Sequence, residues 1–306
     1  MSYDTTPDDV MGICSDGDYL FVVYGMSSGG YVKFAKFSLI SFTGTDLWGI
    51  STSIVYDNIP DSTICDLIVA NSTTIGFIIS TAAQPSAMTV YSIVKATGVG
   101  TAGGGNGTSS DQMDPRDSRL VSDGVRLYWL VYVVSGGNRQ YYLNSALISA
   151  PTGSPYSPIT IGGSVSNSNY SDHFSGLCLC RGIITCSTPV GEVYIYTPGE
   201  ASSASLVNAN NIPDSADDYP VVMKSDGLNV WLYTQKYNGS YCFYRIPSGY
   251  FSEAFASGTV EFDRIIVDES TFNANHKMGN LLFDGRDIWF VTEPGDLFRI
   301  CAPGMR

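Results

Sequence analysis

The chain has 306 residues, a formal net charge of -13 and only 15% charged residues. Sixteen basic against 29 acidic residues disfavour a phosphate backbone or an anionic membrane surface as partner, and no Lys/Arg cluster offsets the balance. A hydrophobic share of 44% is enough to bury a large core, which excludes wholesale disorder, while 20 Tyr and 32 Gly favour strands and tight turns over long amphipathic helices.

The opening MSYDTTPDDVMG has neither a basic n-region nor an apolar h-region, so no secretory signal is expected there. No apolar run reaches the ~18 residues of a membrane helix. Manufacture in the cytoplasm without membrane insertion is the expectation.

Three segments then pair Ser-Asp-Gly with an aromatic strand. They are Ser15-Asp16-Gly17 before YLFVVY, Ser122-Asp123-Gly124 before LYWLVYV, and Ser225-Asp226-Gly227 before VWLYT. Phe283-Asp284-Gly285 before DIWFVT lacks only the Ser. Phe21, Tyr128, Trp231 and Trp289 stand at one offset from the four Asp residues. Weaker copies fall between them, at Asn71-Ser72 in CDLIVANSTTIGFIIS and at Arg181-Gly182 in LCLCRGIITCST. The six marks lie roughly 50 residues apart, the length of a four-stranded unit.

Each unit has the same internal order: an apolar strand, the Asp-Gly mark, an almost wholly apolar strand, a Gly or Pro turn, and a third strand. Third strands are YVKFAKF, MTVYSIV, QYYLNSAL, VYIY, YCFYRI and LFRIC, and DLWGISTSIVY and TVEFDRIIV supply fourth strands. Asp-Gly is expected to provide the positive φ of two-residue hairpin turns. Middle strands apolar on both faces are expected where sheet packs on sheet from both sides.

These features predict an all-β protein, a β-propeller of about six four-stranded blades, as one domain over 1–306. Approximate blades are 10–58, 62–98, 115–162, 174–210, 219–268 and 276–306, with residues 1–9 as a possible closing strand for the last. The D-G-x-x-x-W/F pattern resembles the repeats of bacterial and phage propellers of the NHL and streptogramin-lyase-like type. The resemblance covers the turn and one strand of each unit, and it implies the architecture without an activity. The motif is similar to the sialidase Asp-box but differs in register, because Asp and Gly are adjacent here.

Residues 98–113, 151–172 and 199–219 are rich in Gly, Ser, Asn and Pro and read as loops, the first two being candidate contact surfaces. GVGTAGGGNG lacks the Lys-Ser/Thr of a phosphate-binding loop. The seven cysteines (Cys14, Cys65, Cys178, Cys180, Cys186, Cys242 and Cys301) are odd in number and scattered, which points to buried free thiols rather than a disulfide framework. Cys178-x-Cys180 near Cys186 and His173 has the ligand types of a zinc site, yet a half-buried strand gives the same spacing.

The chemistry-bearing residues are few. The histidines are His173 and His276, and the streptogramin-lyase-like resemblance implies a catalytic histidine without singling out either. Asp66, Asp172, Asp263 and Glu269 are the carboxylates available for glycosidase chemistry, indistinguishable from structural acids. Asp16, Asp123, Asp226 and Asp284 are expected to form turns rather than share a cation. Asn71, Asn106, Asn169 and Asn238 begin N-x-S/T sequences. No catalytic, cofactor-binding or metal-ligating set is assigned and no cofactor is expected. The leading expectation is a non-enzymatic structural or interaction propeller of a virus particle (a phage head or tail component), contacting other structural proteins or copies of itself. A glycan-binding propeller and a central-channel lyase or glycosidase are the alternatives.

Overall fold

The computed structural model describes residues 7–26, 31–40, 54–55, 62–81, 88–98, 100–102, 111–112, 120–150, 158–166, 176–187, 192–198, 206–211, 218–236, 241–250, 263–266, 278–283, 287–292 and 297–301. Among them the fold is all-β, in six small antiparallel sheets, with one short 3-10 turn at Ser248–Tyr250. The chain divides into two compact units, Met1–Pro158 and Ile159–Arg306.

In the first unit, sheet one holds β1 (Pro7–Ser15), β2 (Tyr19–Met26), β3 (Tyr31–Ser38) and β4 (Ile54–Val55), side by side in chain order. Sheet two repeats that meander with β5 (Ser62–Val69), β6 (Thr74–Thr81), β7 (Met88–Val94) and β8 (Gly100–Ala102). In sheet three, β9 (Asp111–Gln112) and β10 (Leu120–Ser122) both flank β11 (Arg126–Ser135), which pairs on its other side with β12 (Asn138–Leu147). The first strands of successive sheets meet, β1 against β5 and β5 against β10. Pro7, Asp8 and Asp9 belong to β1, whose partner is β2, so they sit in sheet one; residues 1–6 lie outside the described residues.

The second unit opens with β13 (Ile159–Ser166). Sheet four is β14 (Leu177–Cys180), β15 (Ile183–Ser187), β16 (Glu192–Tyr196) and β17 (Leu206–Asn211). Sheet five is β18 (Asp218–Ser225), β19 (Asn229–Lys236), β20 (Tyr241–Pro247) and β21 (Asp263–Ile266). Sheet six is β22 (Met278–Phe283), β23 (Asp287–Thr292) and β24 (Leu297–Cys301). Here too first strands meet, β14 against β18 and β18 against β22.

Cores lie between sheets. Ala70, Ile78 and Val90 of sheet two and its turn pack with Leu120, Leu127, Trp129, Val131, Ala146 and Ile148 of sheet three. In the second unit Cys178, Cys180, Val193 and Ile195 pack with Met223, Val230, Leu232, Tyr244 and Ile246. Second strands are therefore buried on both faces: Leu127 through Tyr132 are all buried, as are Val230 through Tyr233. The run LYWLVY has no alternation because neither of its faces meets water.

Three segments read as loops contain strands. Residues 98–113 include β8 and β9, 151–172 include β13, and 199–219 include β17 and the start of β18. In β13 buried Ile159 and Ile161 alternate with exposed Thr160, a period-two pattern that the surrounding Gly and Ser mask.

Four first strands carry a β-bulge at the same distance from their ends. The extra residue is Met11 in β1, Cys65 in β5, Val221 in β18 and Gly279 in β22. A bulge adds local twist and bends the strand, so the same device shapes the edge of each of these sheets.

Gly176 tests how tightly sheets four and five approach, with Gly163 of β13 as a control. A Cβ on Gly176 (φ +99) would lie 2.8 Å from Met223 N, whereas one on Gly163 would meet nothing within 4 Å. Gly176→Ala should cost about 2 kcal/mol or more, because both backbone strain and a clash with main chain oppose it, and Gly163→Ala should stay within about 0.5 kcal/mol. Chemical denaturation of the two variants checks this; equal midpoints would contradict the close approach.

Candidate functional site

The best-defined polar constellations are the Asp-Gly turns joining the first and second strands. In the third sheet Asp123 Oδ1 accepts the N–H groups of Val125 (2.8 Å) and Arg126 (2.7 Å), and Oδ2 accepts Tyr128 OH (2.9 Å). Ser122 Oγ accepts Gly124 N–H (3.0 Å) and donates to Ala70 O of sheet two (2.6 Å). In the fifth sheet Asp226 Oδ1 accepts Leu228 N–H (2.8 Å) and Asn229 N–H (2.6 Å). Asp226 Oδ2 accepts Trp231 Nε1–H (2.7 Å) and Asn229 Nδ2–H (2.9 Å), while Ser225 Oγ accepts Gly227 N–H (3.0 Å). The first turn matches them, with Asp16 Oδ1 taking Asp18 N–H (3.2 Å) and Tyr19 N–H (2.9 Å), and Ser15 Oγ taking Gly17 N–H (3.1 Å). Its Phe21 has no donor, and Lys95 Nζ fills the place at 3.0 Å from Oδ2.

In the third and fifth sheets the offset between Asp and aromatic has a chemical cause: Tyr128 and Trp231 each carry a donor to the turn carboxylate. The expected two-residue turn is corrected. Ser122 pairs with Leu127, so the loop holds four residues, and only its glycine has positive φ. Asp serves as an acceptor for loop amides that no strand satisfies. A two-residue turn with both φ positive occurs instead at Arg181 (φ 49) and Gly182 (φ 79), between paired Cys180 and Ile183. Asn71 keeps half of the Asp role: its Oδ1 accepts Thr73 N–H (2.9 Å) and its Nδ2 donates to Gly124 O (3.3 Å). Both amide atoms of that sequon are thereby engaged in the fold.

Burial pushes the Asp226 carboxyl upward, but the hydrogen bonds from Asn229, Trp231 and Leu228 outweigh it and leave the group below its ordinary value. Asp16 is lowered in the same way, with Tyr19, Lys95 and Asp18 as donors. These oxygens are occupied as structural acceptors, so the three carboxylates are not presented for acid–base work.

The sheet-four thiols are separated by strand geometry. Cys178 stands opposite Thr185 while Cys186 stands opposite Leu177, so Cys186 is on the other face from Cys178 and Cys180. All three are buried and free. Burial pushes Cys178 well up and Cys186 up to about 12; burial also raises Cys180, against a hydrogen bond from Ser225. A zinc site would need these thiols on one side, and among the described residues no group of three metal-ligating side chains comes together.

Of the other candidates, His173, His276, Asp172, Glu269 and Asp284 lie outside the described residues. Asp66 is on β5 and Asp263 begins β21, with side chains outside the described set. A basic partner for the turn aromatic escaped the sequence reading. Phe21 pairs across the sheet with Lys36, Trp231 with Arg245 and Trp289 with Arg299. Arg299 Cζ lies 5.5 Å from the Trp289 ring centroid, and its guanidinium also pairs with buried Asp287. A basic residue in the third strand at a matching place in three units was the available signal.

No protein-family model and no curated protein sequence matches the chain. A solved prolyl endopeptidase, from a study of inter-domain dynamics in catalysis and specificity, is similar over 95% of this chain with a TM-score of 0.55 and 10% identity. This chain spans 40% of the length of that one, and at that identity the likeness bears on the fold alone. A structure of BBS1N in complex with ARL6DN aligns over 97% of this chain and 79% of its own, at 11% identity and a TM-score of 0.42, too distant to carry an argument.

Two expectations follow. Trp231→Phe removes the indole donor and should destabilise by about 1–2 kcal/mol at neutral pH. Asp226 has a depressed folded-state pKa, so its contribution is present above the ordinary carboxylate range and is lost as pH falls through and below it. The stability deficit of the variant should therefore shrink in acid, and urea titrations at neutral and acid pH check the sign. Among the described thiols, partly exposed Cys14 should react first with a maleimide, and Cys186 should resist until unfolding, as read by peptide mass mapping.

Proposed function

We propose that the six sheets are the blades of a β-propeller, and that the propeller is a non-enzymatic interaction module of a larger protein assembly, a virion being the setting that suits its composition. The architecture is supported by the four-stranded meander that recurs in chain order and by first strands that meet from sheet to sheet within each unit. Likeness to a propeller-containing prolyl endopeptidase over nearly the whole chain supports it as well.

The observation that carries the functional reading is where exposed aliphatic side chains stand. Among the described residues seven large hydrophobics are exposed: Ile13, Ile40, Val94, Val125, Leu147, Leu228 and Leu297. All but Ile13 and Leu297 sit at the sheet ends that carry the Asp-Gly turns or, in sheet two, the Asn71-Ser72 turn. Val125 and Leu228 occupy the same place in two turns, inside loops whose backbone the Asp carboxylate holds. Val94 and Leu147 close third strands, and Ile40 follows one. Scattered exposed aliphatics are ordinary; recurrence at equivalent positions of rigid turns is what a contact face requires. Low charge and abundant Tyr suit a protein interface.

Native mass by light scattering, on the chain alone and with the particle or complex it is isolated from, tests the reading. The expected result is a defined oligomer or a stoichiometric complex. Val125→Asp with Leu147→Asp should weaken association at least ~10-fold while leaving the thermal midpoint within a few degrees. A monomer that joins no complex would overturn the assembly reading and bring glycan binding forward.

A further inference from the structure

We propose that the seam between the first and second sheets is an ionic latch, Lys95 on Asp16, which acid or salt releases, whereas the seam between the second and third sheets is bridged by uncharged groups and does not respond to salt. The contrast rests on how each turn carboxylate finds the donor for its second oxygen. Tyr128 and Trp231 supply it from within their own sheets. Phe21 supplies nothing, and the donor crosses from sheet two: Lys95 Nζ lies 3.0 Å from Asp16 Oδ2, with the Lys and Asp side chains 10% and 20% exposed.

Lys95 is held for this task. Its N–H donates to Thr73 O (2.8 Å), which fixes the residue at the end of β7, and its Nζ lies 5.8 Å from the Phe21 ring centroid. Lys36 crosses the seam in the other direction, with Nζ 3.4 Å from Lys95 O and 3.8 Å from the Tyr19 ring centroid. Among the described residues, the charged groups gathered at the seam are Asp16, exposed Asp18, Lys36 and Lys95. The second seam is built from Ser122 Oγ on Ala70 O and Asn71 Nδ2 on Gly124 O, and none of these groups titrates.

Protonating Asp16 removes the carboxylate that Lys95 Nζ reaches and leaves that buried ammonium without its ion-pair partner. An unpaired buried charge is costly, so the seam must open far enough for water to reach Lys95. Asp16 sits below its ordinary pKa, so the latch is closed at neutral pH and releases as pH falls through and below the carboxylate range. Salt weakens the pair by screening its less buried side.

Hydrogen exchange, corrected for the intrinsic pH dependence, reads each seam separately in one molecule. Peptides 12–22 and 90–98 report the first seam, and peptide 120–128 reports the second. Raising salt to ~1 M at neutral pH should speed exchange in the first pair about tenfold and leave 120–128 unchanged. Lys95→Met should reproduce that pattern and abolish the salt response. Adding Phe21→Tyr to Lys95→Met should restore protection in the turn, by giving Asp16 a donor of its own, but not in 90–98. Equal responses of both seams, or unchanged exchange in the first, would overturn the latch. So would full recovery of 90–98 in the double variant, which would reduce Lys95 to a cap for the turn. The salt series on the unaltered chain decides the matter even where a variant fails to fold.

Discussion

A hairpin whose second strand is buried on both faces creates a local problem. Its turn must change direction next to a dry core, and the loop N–H groups have no strand partners. Asp123 and Asp226 solve it identically, with one carboxylate oxygen on two loop amides and the other on a ring donor. A charged acceptor makes stronger hydrogen bonds than a neutral one, which helps offset its partial desolvation. The ring bearing the donor is also part of the packing: Tyr128 and Trp231 are each almost wholly buried. Turn geometry and core packing are thus set by the same two side chains, and losing either disturbs both.

The rest of the sheet follows from that anchor. Third strands return to the same loops, where Leu39, Lys95, Ile148 and Ser248 donate to the carbonyls of Asp18, Thr73, Val125 and Leu228. These bonds bind the end of the third strand to the turn between the first two. Sheets then pack face to face through apolar second strands, and close approach demands small residues at particular points. Gly76 faces Leu127 and Leu120 across sheets two and three, and a Cβ there would come within 2.7 Å of the Leu127 side chain.

What could be read from the sequence was the local chemistry. Ser-Asp-Gly with an aromatic at a fixed offset identified the turns, and unbroken apolar runs identified strands hidden on both faces. The offset was visible before its cause, because a hydrogen bond from Tyr128 OH or Trp231 Nε1 leaves the same spacing that Phe21 keeps without one. Lys95 was illegible for that reason: it serves a residue remote in sequence and belongs to a different sheet. The repeated bulges were illegible too, since Met11, Cys65, Val221 and Gly279 share position but no side-chain chemistry. Strand β13 was hidden by composition, its Gly162 taking a φ of +62 that residues with a side chain seldom adopt. As for the site, the carboxylates and thiols that first drew attention proved to be occupied or buried wherever the structure describes them. The exposed aliphatics at turn positions have no motif, only a place in the fold.

Rigidity of the turns bears on how such a surface would work. Val125 and Leu228 are exposed aliphatics within loops whose amide groups are locked by a carboxylate. A side chain on a floppy loop loses conformational freedom when it binds, and that loss opposes association. Here most of the backbone ordering is already complete in the free protein, because folding the sheet and fixing the loop are one event. The same bonds that let a buried hairpin turn therefore leave its tip pre-organised. A sequence can vary the residue two places after the Asp, as Val125 and Leu228 do and as Asp18 does in the first turn, without touching the Asp or the Gly. Specificity could then be written at that position while the scaffold stays constant, which separates the residues that build the turn from those that face a partner.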